Sequence, residues 1–549
     1  MSLITRSRWV VALLILMATS TPSAAADDGV PQSASAVESA IETSQYTGDP
    51  TPPLAQLPAA DDPAVSATRI EELETRINEL EFTLADMQTR PAPASGQTSS
   101  AADPKKMSAA WGENGFTAAS QSGAFKVHIG GRVQFDAVAL NADDLVLGGE
   151  GAEDSVNFRR ARLRVDGTMY ETMDWATEFD FVNSVDADPT AGPSPVNAFG
   201  GDVIGTVAPT DLWVTFREVP WAGNVRVGNQ KEPIGLEHVE SSRFLDFMER
   251  SYLQDAFFGP FNNGFTPGIT VFDWNEAETV TWALGGYKNT QNVFAYDVSD
   301  NAYALTGRLT CVPWSACDDR RLLHLGVASS YRGLDQDADL TTGNIRVRSR
   351  ASLRNGPGPL NPTIADTNFA GRLFAESETL IAPEAAAVLG PWTVQTEYVS
   401  GFLNSTTFTP IAGVPTDVDQ VHFQGSYIHV LYFLTGEHRE YDRHEARFGR
   451  VVPYENLSLL PNRGGLNGLG AWQIGARYGF LDLNDGAVQG GHIQDLTIGL
   501  NWFLNPHSKF QFNYIVQHVD NTLRNSAGVI TAENDADLTG FGVRFAHDF

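Results

Sequence analysis

The stretch KVHIGGRVQFD at residues 126–136 alternates polar and apolar side chains. Its polar members are Lys126, His128, Arg132, Gln134 and Asp136, and they alternate with Val127, Ile129, Val133 and Phe135. A period of two places successive side chains on opposite faces of a β-strand. In a barrel that crosses lipid, the polar face lines a wet lumen and the apolar face meets the bilayer. The stretch therefore predicts a membrane-spanning strand.

The same alternation recurs along the rest of the chain. It predicts strands at 126–138, 157–169, 174–182, 210–218, 223–231, 265–274, 279–288, 302–311, 322–332, 367–379, 392–401, 421–434, 471–482, 492–504, 508–519 and 538–549. An even number of strands lets both chain ends lie in the periplasm. We therefore predict an all-β fold over residues 123–549, a 16-stranded antiparallel transmembrane β-barrel.

The predicted connections alternate in length. Tight turns at 171–174, 220–224, 275–278 and 505–508 are expected on the periplasmic side, and long connections at 183–209, 231–264 and 333–366 on the extracellular side. One connection breaks this rule, because residues 435–470 fall on the periplasmic side. A connection of that length is normally functional.

The N-terminal residues 1–26 read as a secretory signal peptide. Arg6 and Arg8 precede the apolar core Trp9 to Met17, and three alanines at 24–26 form a small-residue cleavage site. The apolar core is too short to be a transmembrane anchor. No later segment has 18 consecutive apolar residues, so a barrel is the spanning structure that remains for an exported chain with strands of this kind.

A short α-helical coiled coil is predicted at residues 66–90, between linkers at 27–65 and 91–122 that are rich in Ala, Pro and Ser. Its apolar seam follows heptad spacing: Ile70, Leu73, Ile77, Leu80, Leu84 and Met87. Isoleucine at a with leucine at d favours two parallel strands, but the number of chains is left open. In the periplasm this segment would contact the cell wall.

Composition excludes several functions. The net charge of −30 argues against nucleic acid as a partner. Eleven histidines are scattered without a Ser–His–acid constellation, so we predict no catalytic residue, no cofactor and no metal, and a chain that is not an enzyme. Cys311 and Cys317 bracket a Pro-Trp turn, and an oxidising compartment predicts a disulfide between them.

Several motifs, in order along residues 123–549, resemble the phosphate-selective porins. They are GRVQFD at 131–136, FRRARL at 158–163, GNQKEP at 228–233, FMER at 247–250, YFLTGE at 432–437, GAW at 470–472, LDLN at 481–484 and GLNWFLNP at 499–506. The final strand, which ends in Phe549, is also typical of chains inserted into the outer membrane. The resemblance implies a homotrimeric outer-membrane porin in which outer loops and one periplasmic connection fold into the lumen and basic side chains guide phosphate.

Basic residues on the polar faces are the candidate pore lining. Arg160, Arg162 and Arg164, which we call the arginine ladder, share one strand face. The other candidates are Arg132 on the neighbouring strand, Arg226 and Lys231 before the third outer loop, Arg243 and Arg250 within it, and Arg477. The resemblance adds Arg439, Arg443 and Arg450 in the long periplasmic connection. These side chains are predicted to guide small anions through a passive pore.

Two observations favour other interpretations. The ladder could instead neutralise lumenal carboxylates such as Asp136, Asp166, Glu178 and Asp180. The third loop is also rich in acids, which favours a general or cation-preferring porin: Glu237, Glu240, Asp246, Glu249 and Asp255. A structural anchor between the outer membrane and the cell wall is the third alternative, because of the coiled coil.

Overall fold

The computed structural model describes the chain from residue 107 onward, with gaps. The described ranges are 107–112, 115–143, 154–184, 207–259, 264–289, 301–340, 343–354, 363–411, 413–458, 468–521, 523–524, 530–532 and 535–549. All of them lie within one compact unit, Thr98–Phe549. The predicted signal peptide, the first linker and the coiled coil lie outside the described residues.

Sixteen antiparallel strands form the barrel, and we number them β1 to β16 in chain order. Their bounds are Lys126–Ala142, Ser155–Met169, Met173–Ser184, Val207–Val219, Gly223–Lys231, Phe265–Trp274, Val280–Lys288, Tyr303–Ala316, Arg321–Gly333, Ser377–Leu389, Trp392–Pro410, Thr416–Phe433, Ala471–Asp485, Val488–Asn505, Ser508–Asp520 and Asp535–Asp548. Each pairs with the next along the chain, and β16 pairs with β1 from Leu538↔Ala142 to Asp548↔Arg132. The sheet is therefore closed, as predicted.

The tenth predicted strand was wrong in position. It was placed at residues 367–379, whereas β10 spans Ser377–Leu389. The alternation before residue 375 belongs instead to a short strand, Gly371–Phe374, that pairs with the far end of β11. Both segments have a period of two, so the pattern alone does not separate a barrel strand from a loop strand.

Burial follows the predicted alternation. On β14, Asp495 and Thr497 face the interior with 3% and 0% of their surface exposed, while Leu496 and Ile498 face outward with 41% and 52%. Outward aromatic rings pair near the end with the short turns, where Trp392 contacts Tyr432 and Trp472 stacks on Trp502. Such girdles mark a membrane interface.

A hairpin precedes the barrel within the predicted linker 91–122. Its strands are Met107–Gly112 and Gly115–Ser120, and the second pairs with β1 from Phe116↔Ile129 to Ala119↔Lys126. The last residue of the chain, Phe549, pairs with Gly131 through two backbone hydrogen bonds. The hairpin therefore covers the edge of β1 beyond the point where β16 ends, and the predicted linker was too long.

The third outer loop, residues 232–264, enters the barrel between β5 and β6. It contains the short helix Leu236–Val239 and the π-helical turn Gln254–Phe258. The fifth loop, residues 334–376, contains the paired strands Arg348–Arg350 and Thr363–Asp366 and a 3-10 turn at Thr367–Phe369. Apolar side chains from both loops, among them Met248 and Leu353, are buried in one cluster with inward residues of the wall.

Glycines on the wall allow the third loop to lie directly against it. A Cβ atom at Gly499 would stand 3.0 Å from the ring of Phe247, and one at Gly425 would stand 2.8 Å from Leu253 Cδ2. Real Cβ atoms rarely approach other atoms this closely. The loop is therefore positioned by close packing on β12 and β14 as well as by hydrogen bonds.

The long periplasmic connection, residues 434–470, also turns into the barrel, as the family resemblance implies. It contains the paired strands Tyr441–Asp442 and Arg447–Phe448. The Phe448 ring is buried in a cluster with Leu236 of the third loop and Leu322 of the wall. We call this segment the inward connection. It meets the third loop in the middle of the lumen.

The predicted disulfide is not formed: Cys311 and Cys317 are both free thiols. Cys311 lies within β8, which continues to Ala316 with only a bulge between Cys311 and Trp314. Extended chain rises by about 3.3 Å per residue, so the two Cα atoms are far beyond the ~7 Å that a disulfide allows. The Pro-Trp pair thus lies in a strand and makes no turn. Within the described ranges, no helix has the length and apolar character needed to cross a membrane.

Candidate functional site

A cavity of about 530 Å³ lies inside the barrel, between the wall and the two inward segments. Its wall residues come from β1, β2 and β4 to β8, and the remainder come from the third loop, the fifth loop and the inward connection. Among the described lining residues, none comes from β9 to β16. The cavity therefore follows one side of the lumen, which we call the open wall, and β9 to β16 form the packed wall.

The lining of this cavity is strongly basic. Its cations are Arg132, Arg159, Arg160, Arg162, Arg164, Arg226, Lys231, Arg243, Arg250, Arg308, Arg350, Arg354, Arg447 and Arg450, and its carboxylates are Asp166, Asp211, Glu249, Asp255 and Glu445. Fourteen cations thus face five carboxylates in a chain whose net charge is −30. Low-dielectric walls focus the field of such groups.

Nine of the twelve sequence-predicted pore residues line this cavity. They are Arg132, Arg160, Arg162, Arg164, Arg226, Lys231, Arg243, Arg250 and Arg450. Arg439, Arg443 and Arg477 do not line it. The ionic partners of these three arginines explain their position.

Arg439 is fully buried between the inward connection and the third loop. Its guanidinium binds Glu240 and lies 2.5 Å from Asp246 Oδ2. Both partners are carboxylates of the third loop, so Arg439 holds the two inward segments together. Burial raises the pKa of Glu240 to about 7, because the neighbouring Asp246 adds to the desolvation and Arg439 only partly offsets it.

Arg477 and Arg443 also serve as struts. Arg477 on β13 lies 3.3 Å from Glu237 of the third loop, and 1% of its side chain is exposed. Arg443 lies outside the cavity in the inward connection, where its guanidinium binds Asp319 in the turn between β8 and β9. The positive charge of each arginine is neutralised by its partner carboxylate.

Part of the arginine ladder is neutralised by carboxylates behind it. Arg162 binds Asp180 at 2.7 Å and Glu178 at 3.0 Å, and Arg132 binds the same Glu178 at 2.6 Å. These four side chains lie on the adjacent strands β1, β2 and β3 and are almost fully buried, so the pairing is tight. The alternative drawn from the sequence, in which these arginines satisfy lumenal acids, therefore holds for this pair.

The other ladder members differ from one another. Arg164 bridges Asp166 at 2.8 Å and Asp211 at 2.7 Å. Arg160 donates to Gln134 Oε1 at 2.7 Å, and its nearest carboxylate, Glu249, is 3.7 Å away. Arg160 is therefore the ladder member with the weakest neutralisation.

Three cations of the lining donate to backbone carbonyl oxygens of residues 237–240. The shortest contacts are 2.6 Å for Lys231 Nζ, 2.6 Å for Arg250 Nη2 and 3.0 Å for Arg447 Nη1. Arg447 also pairs with Glu445, whereas no described carboxylate lies within ion-pair distance of Lys231 or Arg250. Because a carbonyl is neutral, it fixes Lys231 and Arg250 in place without forming an ion pair with them.

Arg226 is held by aromatic rings. Its Cζ lies 4.1 Å from the ring centre of Trp213 and 5.1 Å from that of Phe272. Its Nε donates to Thr215 Oγ1 at 2.9 Å. Two rings and a hydroxyl orient this guanidinium without neutralising it.

Arg243 and Arg450 stand at the end of the cavity near the chain terminus. Arg450 binds Asp548, and Arg243 lies 3.8 Å from the same residue and 3.7 Å from Glu178. Burial and the nearby Arg132 together lower the pKa of Arg243 to about 10, although Glu178 acts in the opposite direction. Arg243 stays protonated at neutral pH.

Sequence reasoning missed five basic lining residues: Arg159, Arg308, Arg350, Arg354 and Arg447. Arg308 occupies a polar-face position of the predicted strand 302–311, so the alternation pointed to it. Arg159 turns inward because a bulge interrupts the β1–β2 register between Gln134 and Phe135, which a strict period of two cannot anticipate. The remaining three lie in connections.

Arg350 and Arg354 of the fifth loop clamp a carboxylate of the third loop. Both bind Asp255 at 2.8 Å. Burial raises the pKa of Asp255, but the two guanidinium groups outweigh that effect and hold its pKa below the usual range. This contact joins the two loops at the side of the cavity nearer the loop end.

A wider vestibule of about 940 Å³ continues from the cavity towards the short turns. Its cations are Lys126, Arg164, Arg217 and Arg226, and its carboxylates are Asp166, Asp174, Glu218, Asp273, Asp442 and Glu445. The path therefore changes from a basic chamber to a mildly acidic mouth.

Comparisons with known proteins agree with this architecture. The family model described as phosphate-selective porin O and P matches residues 127–546. Porin O of Pseudomonas aeruginosa is 23% identical over 459 residues, which cover 80% of this chain and 91% of that protein. An uncharacterised protein of Caulobacter vibrioides is 28% identical over 396 residues, which cover 70% of this chain and 67% of that protein.

Solved outer-membrane proteins are similar at low identity. The trimer form of OmpT from Vibrio cholerae aligns with a TM-score of 0.40 and 10% identity, covering 77% of this chain and 99% of that one. The outer membrane channel DcaP of Acinetobacter baumannii aligns with a TM-score of 0.40 and 11% identity, covering 78% of this chain and 99% of that one.

Proposed function

The chain belongs to the family of phosphate-selective porins O and P, and from that premise we propose that its pore passes small anions, such as phosphate, in preference to cations. The chain is an outer-membrane porin, a channel built on a β-barrel. The selectivity of the channel is the finer question. We also propose that the protein is a passive channel without enzyme activity.

One observation supports the anion preference above the rest: fourteen cations face five carboxylates in the central cavity. Four carboxylates stand behind this lining, namely Glu178, Asp180, Glu384 and Asp548, and each neutralises a lining arginine. Even when these four are counted, the cations remain in excess. An excess of positive charge therefore remains along the path, although the third loop is rich in acidic residues.

The acids of the third loop explain this outcome. Asp246 binds Arg439 at 2.5 Å, Asp255 binds Arg350 at 2.8 Å, and Glu249 binds Arg159 at 2.8 Å. Each acid is consumed by a strut or a clamp. An acidic loop composition therefore does not give an acidic pore.

The cations held by carbonyl oxygens and rings are the proposed anion-binding groups. Lys231, Arg250 and Arg226 have no ion-pair partner among the described carboxylates, and carbonyl oxygens or a hydroxyl hold them in place. Arginine presents a planar fork that binds two oxygens of a phosphate or a carboxylate. An anion would thus leave the neutralised ladder arginines for these groups as it passes the third loop.

We keep two further proposals from the sequence. The porin assembles as a homotrimer, and the segment 66–90 forms a coiled coil that contacts the cell wall. Cross-linking of the mature protein in whole cells tests the first. Deletion of residues 66–90, with envelope integrity and conductance measured together, tests the second, because an anchoring role alters integrity while conductance stays unchanged.

Reversal potential in planar bilayers under a KCl gradient tests the anion preference. We expect a potential of the sign that chloride permeation gives. The test variant is Lys231→Glu, which reverses one positive charge beside the third loop. The matched control is Lys288→Glu, which reverses the charge of a lysine that does not line the cavity. Only the first is expected to shift the potential towards potassium. A parent protein that already prefers potassium would overturn the proposal.

A further inference from the structure

Aromatic rings and cations alternate along the central cavity. The ring of Phe265 lies 5.9 Å from Arg162 Cζ and 5.8 Å from Lys231 Nζ. Farther along, Arg226 Cζ lies near the rings of both Trp213 and Phe272. All six side chains line the cavity, so a permeating molecule meets π-faces as well as positive charge.

Inorganic phosphate gains little from such a lining. It is compact, strongly hydrated and best served by polar donors on all sides, whereas a phenyl or indole face offers none. The chamber is also large, at about 530 Å³, which lies within the range of ~300–1,000 Å³ typical of sites for organic ligands. The rings therefore favour an anion that carries a ring of its own.

The two cations nearest these rings are held by neutral groups. Lys231 Nζ donates to carbonyl oxygens at 2.6 and 2.8 Å, and Arg226 Nε donates to the hydroxyl of Thr215. No described carboxylate lies within ion-pair distance of either cation. A carboxylate bound there displaces no internal ion pair. A ring attached to that carboxylate would lie against Trp213, Phe265 or Phe272.

We propose that this cavity preferentially binds and passes planar aromatic carboxylates, with Arg226 or Lys231 binding the carboxylate and the rings beside that cation binding the aromatic body. Guanidinium groups are weakly hydrated and stack on aromatic faces, and offset ring pairs attract each other beyond simple burial. The proposal rests on the anion preference proposed above, since a pore that excludes anions excludes these as well.

The test compares three anions as blockers of the chloride current in planar bilayers. Sodium benzoate supplies a planar ring, sodium cyclohexanecarboxylate supplies the same charge on a non-aromatic ring, and inorganic phosphate supplies charge alone. We expect benzoate to reach half-block at a concentration about tenfold lower than either of the others. Equal block by benzoate and cyclohexanecarboxylate, or tighter block by phosphate, would overturn the proposal.

Variants locate the site. Phe272→Leu removes a ring over Arg226, and Trp213→Leu is the second choice if the first folds poorly. Phe423→Leu is the matched control, because Phe423 is a buried ring on the packed wall, with 1% exposed. Loss of the benzoate advantage in Phe272→Leu or Trp213→Leu, with the advantage kept in Phe423→Leu, is the expected result. An unchanged advantage in all three rejects the site.

The same recordings separate this proposal from the broader one. Reversal potential reports whether anions carry the current, and block reports which anion binds. An anion-selective pore without a benzoate advantage rejects the aromatic site and leaves the anion preference standing. A potassium-selective parent rejects both.

Discussion

The open wall and the packed wall share one sequence pattern and do different work. Inward positions on β13 to β15 carry carboxamides that hold the third loop: Gln473 and Asn501 donate to Asp246, and Gln511 donates to Leu245. Inward positions on β1, β2 and β5 carry arginines and Lys231 that face the cavity. An amide satisfies backbone groups without adding charge, so charge is concentrated where the path runs.

The packed wall does contain arginines, and their environment is instructive. Arg544 lies 2.6 Å from Asp136 and 2.8 Å from Glu249, and Arg332 lies 3.1 Å from Glu378. A buried charge is costly unless it is paired, and these arginines are fully paired. The two walls thus differ in whether positive charge remains after each arginine has paired with nearby carboxylates. The number of arginines on each wall does not reveal this difference.

The largest predicted effect concerns Arg439, which joins the inward connection to the third loop. Replacing Arg439 by Gln leaves Glu240 and Asp246 without their cation at a buried contact, which we expect to cost about 3–5 kcal/mol in the free energy of unfolding. Denaturant titration in lipid vesicles measures this, and proteolysis reports release of the inward connection.

Arg443→Gln is the matched control, because that arginine lies in the same connection but is partly exposed, with Asp319 as its partner. We expect it to cost less than ~1 kcal/mol. Equal losses in the two variants would contradict the assignment of Arg439 as the strut between the inward segments.

The next effect concerns the open wall. Replacing Arg160, Arg162 and Arg164 together by Gln removes three positive charges from the cavity and leaves Glu178, Asp180 and Asp211 less neutralised. We expect the permeability of chloride relative to potassium to fall by about tenfold, as measured by reversal potential.

A control triple variant removes three arginines away from the cavity: Arg320, Arg321 and Arg346, each changed to Gln. None of them lines the central cavity. We expect its reversal potential to match the parent. A shift as large as that of the ladder variant would mean that overall charge, and not the open wall, sets selectivity.

The smallest predicted effect concerns the two cysteines. Changing Cys311 and Cys317 to Ser together should alter the free energy of unfolding by no more than ~0.5 kcal/mol, because both are free thiols and neither lines the cavity. Thiol titration of the unfolded, unreduced protein should find two thiols per chain. A marked loss of stability in the double variant would restore the disulfide that the sequence suggested.

Much of the barrel could be predicted from the sequence, because its cause is local. Alternation in β1, β14 and β15 reports directly which face meets lipid. The tenth strand was misplaced because Gly371–Phe374 obeys the same local rule while pairing with β11 at the rim. Local alternation predicts that a segment is a strand, but it does not predict which strand it pairs with.

The site was less predictable, because it depends on contacts between distant segments. Arg160 and Arg439 are both arginines near acids in the sequence, yet one lines the cavity and the other is a strut. Which acid each one meets depends on how the third loop folds back into the barrel. The sequence of that loop suggested an acidic pore, and only the pairing of Asp246 and Asp255 corrected it.

The most direct test is whether ions pass along the open wall or the packed wall. In the chain with both native cysteines changed to Ser, Ala283→Cys places a thiol on the open wall, where Ala283 lines the cavity. Ala386→Cys places one on the packed wall, where Ala386 is buried with Leu236 and Phe448. The account predicts that a sulfonate-bearing thiol reagent reacts with the first, lowers its anion conductance and leaves the second unmodified. Rapid modification of the Ala386→Cys variant, with an unreactive Ala283→Cys variant, would contradict it.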